Sequence, residues 1–457
     1  MSVSRPLAAV LILSSLIACT AEAQGPNVIF IMTDDLGYGD LEVYGGDDIA
    51  TPNLNQIAAQ GVRFTDFYAN GANCSPTRAG FLTGRYQHRY GVEWPITHRE
   101  AAEGEGVSAD GRTLPQLVKD AGYNTAMVGK WHLGHEDNQS PNAHGFDYFY
   151  GFRSGLIDFY QHTDTAGNPD FWENEEEISV EGYATDLITA KAVEYIDGNA
   201  GDAPFFLSVQ YNAPHWPYQP PDSPSIAEDN AAHLQPDDAN PGSRDDYIAM
   251  VERVDQGIGE IMTALDRAGV ADNTMIIFTN DNGGEWLSDN DPLFHRKSSV
   301  YEGGIRVPAL VSWPDVIPGG QVTNQVGITM DMTATILAAT GADIPGDLEL
   351  DGMNLLPVMT GDQPVTERTL FWRSRGEARA VRKGDWKLIV EFSGFGEVSQ
   401  IYNLQRDIGE HDNISRTDQG RAVARELRPL LDAWEEEMTA ISSTYPWGYE
   451  VEEAAAD

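Results

Sequence analysis

Along the chain, uninterrupted apolar runs alternate with stretches whose apolar positions recur every three to four residues, and each apolar run stops abruptly at polar side chains. Asn27 to Met32 is the first such run, continuous as a parallel strand buried on both faces must be, and it ends in Thr33-Asp34-Asp35-Leu36-Gly37. Tyr123 to Val128 ends in Gly129-Lys130-Trp131-His132-Leu133-Gly134, Pro204 to Tyr211 in Asn212-Ala213-Pro214-His215, and Met275 to Thr279 in Asn280-Asp281-Asn282-Gly283. Val62 to Tyr68 and Ala309 to Ser312 read as further strands. Helices are predicted from Thr51-Pro52, before Tyr123, around Asp186 to Val193, and from Asp245 to Ala268, where Ile248, Val251, Val254, Ile258 and Ile261 keep helical spacing. Alternating strands and helices predict an α/β fold with helices flanking the sheet. Gly145 to His162, rich in aromatics, shows no period and reads as a loop; Tyr218 to Ser243, rich in Pro and Asp, reads as a mobile rim.

Beyond Pro345 to Thr360 the alternation gives way to short strand-like runs, Thr369 to Trp372, Ala378 to Arg382, Trp386 to Glu391 and Gln400 to Leu404. A helix from Gly420 to Met438 and an acidic tail follow. The predicted organisation is an export segment over residues 1–23, a catalytic-sized α/β domain over 24–360 on a large mixed, mostly parallel sheet, and a smaller C-terminal α+β domain over 361–457 on a short antiparallel sheet. A length of 457 residues suits two domains of about 100–200 residues each. The export segment has Arg5, an apolar stretch from Leu7 to Ala18 too short to span a membrane comfortably, and the small-residue site Ala21-Glu22-Ala23. Leu16-Ile17-Ala18-Cys19 also resembles a bacterial lipoprotein box, so lipidation at Cys19 and cleavage after Ala23 compete. Either reading places the mature protein outside the cytoplasm, periplasmic or extracellular, soluble or tethered by lipid.

Acidic residues outnumber Lys plus Arg by 71 to 29, for a formal net charge of −42. Such a surface repels nucleic acid and anionic membranes at long range, which argues against a nucleic-acid partner. The same composition suits a saline habitat, where screening shortens the repulsion to about 8 Å or less.

Open α/β sheets bind ligands outside the carboxyl ends of their strands, so the side chains that stop the apolar runs are the candidate chemistry. Asp34-Asp35 and Asp281-Asn282 offer hard oxygen ligands suited to Ca²⁺ or Mg²⁺, and adjacent carboxylates are costly without a cation. Lys130, His132 and His215 stand on other strand ends. The stretch Asn73-Cys74-Ser75-Pro76-Thr77-Arg78-Ala79-Gly80-Phe81-Leu82-Thr83-Gly84-Arg85 is the centre they would serve. Only Cys19 and Cys74 are present; with Cys19 in the export segment, Cys74 has no internal disulfide partner. A lone Cys is most often a buried, inert hydrophobe. Here polar neighbours surround it, and Pro76 as first helical residue places position 74 at a helix N-terminus, where the backbone dipole favours negative charge.

Cys74-x-Pro76-x-Arg78 followed by Ala79 to Arg85 resembles the signature of the type I, formylglycine-dependent sulfatases of the alkaline phosphatase-like superfamily. Gly129 to Gly134 resembles a second piece of that family, and Arg406 to Asn413 the turn of its C-terminal domains, so the resemblance spans nearly all of the mature chain. It implies a sulfuric ester hydrolase in which a maturation enzyme converts Cys74 to formylglycine. It further implies one Ca²⁺ held by Asp34, Asp35, Asp281, Asn282 and the modified Cys74. Arg78 and Lys130 would orient the aldehyde hydrate that attacks sulfur, His215 would act as general acid, Lys297 as an electrostatic clamp, and His132 as the base that expels sulfate. A sulfated polysaccharide or its oligosaccharides is the expected substrate, because export, an aromatic-rich segment and a long rim suit sugars. Ser154, Asp158 and His162 are candidate substrate contacts, as are His295 and Arg296, which stand where relatives often have glycine. Two alternatives stay open: a phosphodiesterase or phosphonate monoester hydrolase of the same superfamily, and a surface glycan-binding lipoprotein with an inactive site.

Overall fold

A computed structural model describes residues 25–97, 104–201, 203–223, 242–374, 378–393 and 396–445. The export segment with Cys19, the acidic tail and residues 224–241 of the expected rim lie outside the described residues.

Strand β1 is Asn27–Thr33, β2 Gly61–Phe64, β3 Phe67–Tyr68, β4 Asn124–Lys130, β5 Tyr148–Phe152, β6 Trp172–Glu173, β7 Glu176–Glu177 and β8 Phe205–Gln210. They are followed by β9 Thr274–Asn280, β10 Ala309–Ser312, β11 Gln321–Thr323, β12 Gly327–Ile328, β13 Thr369–Ser374, β14 Ala378–Lys383, β15 Trp386–Ser393 and β16 Gly396–Asn403. Ten of these form one sheet in the order β11-β2-β10-β9-β1-β8-β4-β5-β6-β7. Its middle, β9-β1-β8-β4-β5, is parallel throughout, while β10, β6 and β7 pair antiparallel.

The continuous apolar runs reflect two covered faces. Val28, Phe30 and Met32 of β1 lie in one core cluster, and Ile29 and Ile31 in the other, as a side-chain period of two requires. Helices Cys74–Thr83, Leu114–Asp120 and Thr329–Thr340 cover the first face; Pro52–Gln60, Ala184–Asn199 and Arg244–Ala268 cover the second. The expected loop over Gly145 to His162 is corrected in part, since it contains β5. Phe149 packs in one cluster and Tyr150 and Phe152 in the other, so an aromatic strand buried on both faces shows no polar alternation. Val62 to Tyr68 is two strands, with β3 leaving the large sheet to pair with β12.

Strands β13 to β16 form the antiparallel C-terminal sheet. Helix Asp418–Ser442, longer at both ends than the sequence suggested, covers it with Leu427, Leu431, Trp434 and Met438. The same cluster takes in Tyr68, Ile305 and Met330 from the first part of the chain. Trp372 Nε1 donates to the Ala69 carbonyl at 2.9 Å, and Arg373 pairs with Glu93 at 2.5 Å, so the C-terminal sheet is seated against the segment that carries Cys74.

Candidate active site

Parallel register brings the polar strand ends together. Thr33 of β1 lies opposite Asn280 of β9, which puts Asp34-Asp35 beside Asp281-Asn282. Gln210 of β8 lies between Met32 of β1 and Gly129 of β4, placing it next to Lys130. Gly129 has φ +105°, and a Cβ there would stand 1.9 Å from the Gln210 carbonyl oxygen; only glycine lets the chain turn Lys130 inward at that point. Asp35 and His132 also adopt left-handed φ, 65° and 60°, a cost that packed surroundings at functional sites sustain.

Cys74 opens its helix directly after the N-cap Asn73, two residues earlier than Pro76 suggested. Its thiol is buried and stands 3.4 Å from Asp34 Oδ1. Burial pushes the thiol's pKa well up, and Asp281 and Asp34 push it further while Lys130 and Lys297 work against them.

Around Cys74, cations and carboxylates interlock. Lys130 Nζ donates to Asp34 Oδ2 at 2.5 Å with both side chains fully buried. Arg78 donates through Nε and Nη2 to Asp281 Oδ2 at 3.2 and 3.0 Å, and through Nη1 to the Lys130 carbonyl and Gln210 Oε1, both at 3.0 Å. Lys297 Nζ reaches Asp35 Oδ2 at 2.8 Å and lies 3.6 Å from Glu285. Backbone bonds from Ser298 to Ala72 and from Lys297 to Gly284, with Ser298 Oγ on Asn73, tie the Lys297 loop to the Cys74 loop. His215 Nε2 faces Asp35 at 3.5 Å, and its Nδ1 donates to the Trp216 carbonyl.

The charge balance is incomplete. Burial works to raise both carboxyls; Lys130, His215 and Arg78 overcome it at Asp34 and hold that group well below the usual range, whereas burial and the neighbouring Asp34 push Asp281 up to about 7. Like charges at this spacing cannot both ionise cheaply. Asp34, Asp35, Cys74 and His215 each offer a ligand atom, all within 4.8 Å of one another. Asn282 donates through Nδ2 to Asp35 at 2.7 Å, which turns Oδ1 away as a buried acceptor without a hydrogen-bond partner among the described residues. Orphaned oxygen and crowded carboxylates fit a hard divalent cation. Asp281, expected in the ligand set, gives Oδ2 to Arg78 and keeps Oδ1 3.4 Å from the Asp35 amide, while His215, not expected there, joins the cluster.

His132 is held in one tautomer. Its Nε2 stands 3.0 Å from the Ile96 carbonyl, which only accepts, so Nε2 carries the proton and Nδ1 presents a lone pair with no partner among the described residues. Burial, with Lys130 and Arg78 nearby, keeps the ring neutral by lowering its pKa well below 6.5. A Cβ at Gly155 would stand 2.6 Å from Nε2, which places the Ser154-Gly155 turn against this ring.

The candidate substrate residues are placed variously. Ser154 bonds to Asp170 through its amide at 2.8 Å and through its hydroxyl. Asp158 is buried and accepts from the amides of Tyr160 and Gln161 and from Gln219. His162 packs on Phe171 with its Nε2 buried and unpartnered. His295 and Arg296 are exposed beside Lys297, and the His295 ring stacks on Tyr301. Sequence reasoning passed over Gln210, which lay within the strand read from Pro204 to Tyr211, and Glu285, Trp216 and Trp286, whose role depends on loops meeting across the site.

A parallel sheet whose strand ends gather carboxylates, cations and histidines around one buried residue at a helix start suits a hydrolase, and agrees with the alkaline phosphatase-like superfamily that the Cys74 signature resembles. Comparison with known proteins makes the class specific. The family model described as Sulfatase matches residues 26–342, and that described as N-sulphoglucosamine sulphohydrolase, C-terminal, matches residues 292–437. N-acetylgalactosamine-6-sulfatase of Homo sapiens is 34% identical over 386 residues, covering 80% of this chain and 71% of its own. Bacteroides thetaiotaomicron N-acetylglucosamine-6-O-sulfatase is 28% identical, covering 93% and 89%. The crystal structure of Ps i-CgsB superposes with a TM-score of 0.81 at 30% identity, covering 94% of this chain and 96% of that one; the same protein is also solved in complex with k-i-k-neocarrahexaose. The chain belongs to the sulfatase family and is a sulfuric ester hydrolase.

Proposed function

We propose that this sulfatase is exported and removes sulfate from a sulfated glycan, with Cys74 matured to formylglycine and one Ca²⁺ beside it. The observation that carries the reading is the meeting of four strand ends and one helix start on Cys74, with Lys130, Arg78, Lys297, His132 and His215 all turned inward. The glycan substrate is supported by the relatives named for N-acetylated sugar sulfates and by the neighbour solved with a neocarrahexaose. Export rests on the Met1 to Ala23 segment alone, with lipidation at Cys19 as its tethered form.

Asp34, Asp35, Asp281, Asn282 and the residue at 74 would hold the ion, with His215 adjoining it; when bound, it supplies Lewis-acid polarisation of a sulfate oxygen. Formylglycine supplies a gem-diol nucleophile that a buried thiol cannot. Because Cys74 is closed in by the folded site, its conversion belongs before folding is complete, when a maturation enzyme can reach Cys74-x-Pro76-x-Arg78.

The chain's own residues then divide the work. Arg78 and Lys130, anchored on Asp281 and Asp34, fix positive charge beside the nucleophile without reorganising. Lys297 lies across the site as the cation for the ester's sulfate oxygens. Both ring nitrogens of His215 face acceptors, Trp216 and Asp35, which suits the doubly protonated ring a general acid needs. Burial draws its pKa down to about 4 in the ligand-free site, and an anionic ester entering opposes that shift. The free Nδ1 of His132 suits it to accept a proton in the step that releases sulfate.

Sulfate release from sulfated oligosaccharides, set against turnover of a phosphodiester, tests the reading. Sulfate release by the matured protein, and none by Cys74→Ala of unchanged circular dichroism, is expected. Phosphodiester turnover without sulfate release, or glycan binding without any turnover, would overturn it.

A further inference from the structure

Outside the catalytic cluster, Trp286 is 42% exposed and holds φ 40°, a conformation that bulky side chains rarely adopt. Its loop is fixed at several points. Asn290 bonds both ways with the Gly284 backbone at 3.0 Å, Ser288 returns its amide and hydroxyl to the Glu285 carbonyl, and Arg244 donates to the Leu287 carbonyl at 2.6 Å. The indole stacks on Trp216 with centroids 5.9 Å apart and planes 25° apart, and Trp216 stacks in turn on His215 at 5.4 Å and 27°. An aromatic ladder therefore runs from the proposed general acid to the surface. It opens on a cleft of about 480 Å³ lined by Trp286, Ser288, Asp289, Asn290, Asp291 and Arg296 among others.

We propose that Trp286 is the platform of a second sugar subsite, on which the pyranose ring next to the sulfated residue stacks; this rests on the glycan reading above. An indole face takes the C–H face of a sugar as it takes other flat apolar surfaces, and a platform fixed beforehand loses little freedom on binding. Polar and charged lining residues supply hydroxyl partners around the ring. Asp289 and Asp291 outweigh the Arg296 guanidinium, with the His295 imidazole beside it, so the cleft favours a neutral ring over a second sulfate.

The test compares kcat/KM for a sulfated oligosaccharide with that for a small aryl sulfate, in wild type, Trp286→Ala and Trp286→Phe. Expected for Trp286→Ala is a fall of about tenfold in the oligosaccharide-to-aryl ratio, the scale of losing one Trp contact, carried by KM, with Trp286→Phe recovering part of it. Equal losses on both substrates would make Trp286 a brace for His215 and overturn the proposal, as would an unchanged ratio. Aryl sulfate turnover by wild type with no oligosaccharide turnover would refute the glycan reading itself, a failure distinguishable from that of the platform alone.

Discussion

Arg78 shows how much of the site rests on the geometry of one side chain. Its guanidinium meets a carboxylate, a backbone carbonyl and a carboxamide at once, which a lysine ammonium on a single stem cannot do. Arg78→Lys therefore keeps the charge but leaves Gln210 or the Lys130 carbonyl without a donor and lets Asp281 move. We expect kcat for sulfate release to fall on the order of 10²-fold, the scale for losing one preorganised donor, with KM changing less. An unchanged kcat would show that charge alone suffices there. At this scale the sequence was informative where a polar residue interrupts an apolar run, as at Asp34, Lys130 and Asp281. Gln210, lying between Val209 and Tyr211 inside an apolar run and not at its end, was not legible as a site residue; only the pairing of β8 with β1 and β4 brings it to Arg78. Nor does sequence spacing show that Asn282 turns one oxygen inward while Asp281 is occupied by Arg78.

At the scale of elements, the C-terminal sheet bears on the catalytic loop through a buried ion group. Lys387 on β15 is fully buried between Glu302, 2.7 Å away, and Glu410, 2.9 Å away. Glu302 also pairs with Arg306 and accepts from Tyr68, and it follows closely on the loop that carries Lys297. Burial and Glu302 already push Glu410 up to about 7. Lys387→Met would leave two carboxylates facing each other in the interior. The expected cost is about 3–5 kcal/mol, as for removing one partner of a buried ion pair, read from denaturant unfolding. Stability equal to wild type would show that the group is replaceable by apolar packing. The four short strands and closing helix were readable because short strand-like runs replace the strand-helix alternation there, even though β14 and β15 are buried through their middles. β5 was not, because burial on both faces removes the alternation that marks a half-exposed strand.

Over the whole molecule, two opposing effects set the response to acid. A net charge of −42 repels itself near neutrality, so acidification towards the isoelectric region relieves strain at low salt. Buried histidines act the other way. Burial draws His88 down to about 3 and His144 down to about 4, against an ordinary value near 6.5. At these two sites the unfolded chain thus binds more protons than the native one between roughly pH 6.5 and 3–4, and stability present above pH 6.5 is lost as pH falls through that window. Asp281 and Glu410, raised to about 7, oppose the histidines by taking up protons in the folded chain between about pH 7 and 4. In about 1 M salt, where screening acts within about 3 Å, the histidine effect should therefore dominate below that window, and the midpoint of thermal unfolding should fall from about pH 4 to about pH 3. A midpoint that is flat or rising over that range in high salt would contradict it. Composition made the acidic surface legible at once, whereas the two histidines were invisible as acid-sensitive points because their burial follows from packing beneath Trp434 and Trp131.

The central claim is that the residue at position 74 works in oxidised form, as proposed from its signature and from its buried place beside Asp34. The mass of the peptide spanning Asn73 to Arg85, from protein that releases sulfate, tests it most directly. A loss of about 18 Da at Cys74, the change for a thiol side chain becoming an aldehyde by covalent modification, is the predicted result. An intact thiol in fully active protein would contradict the account.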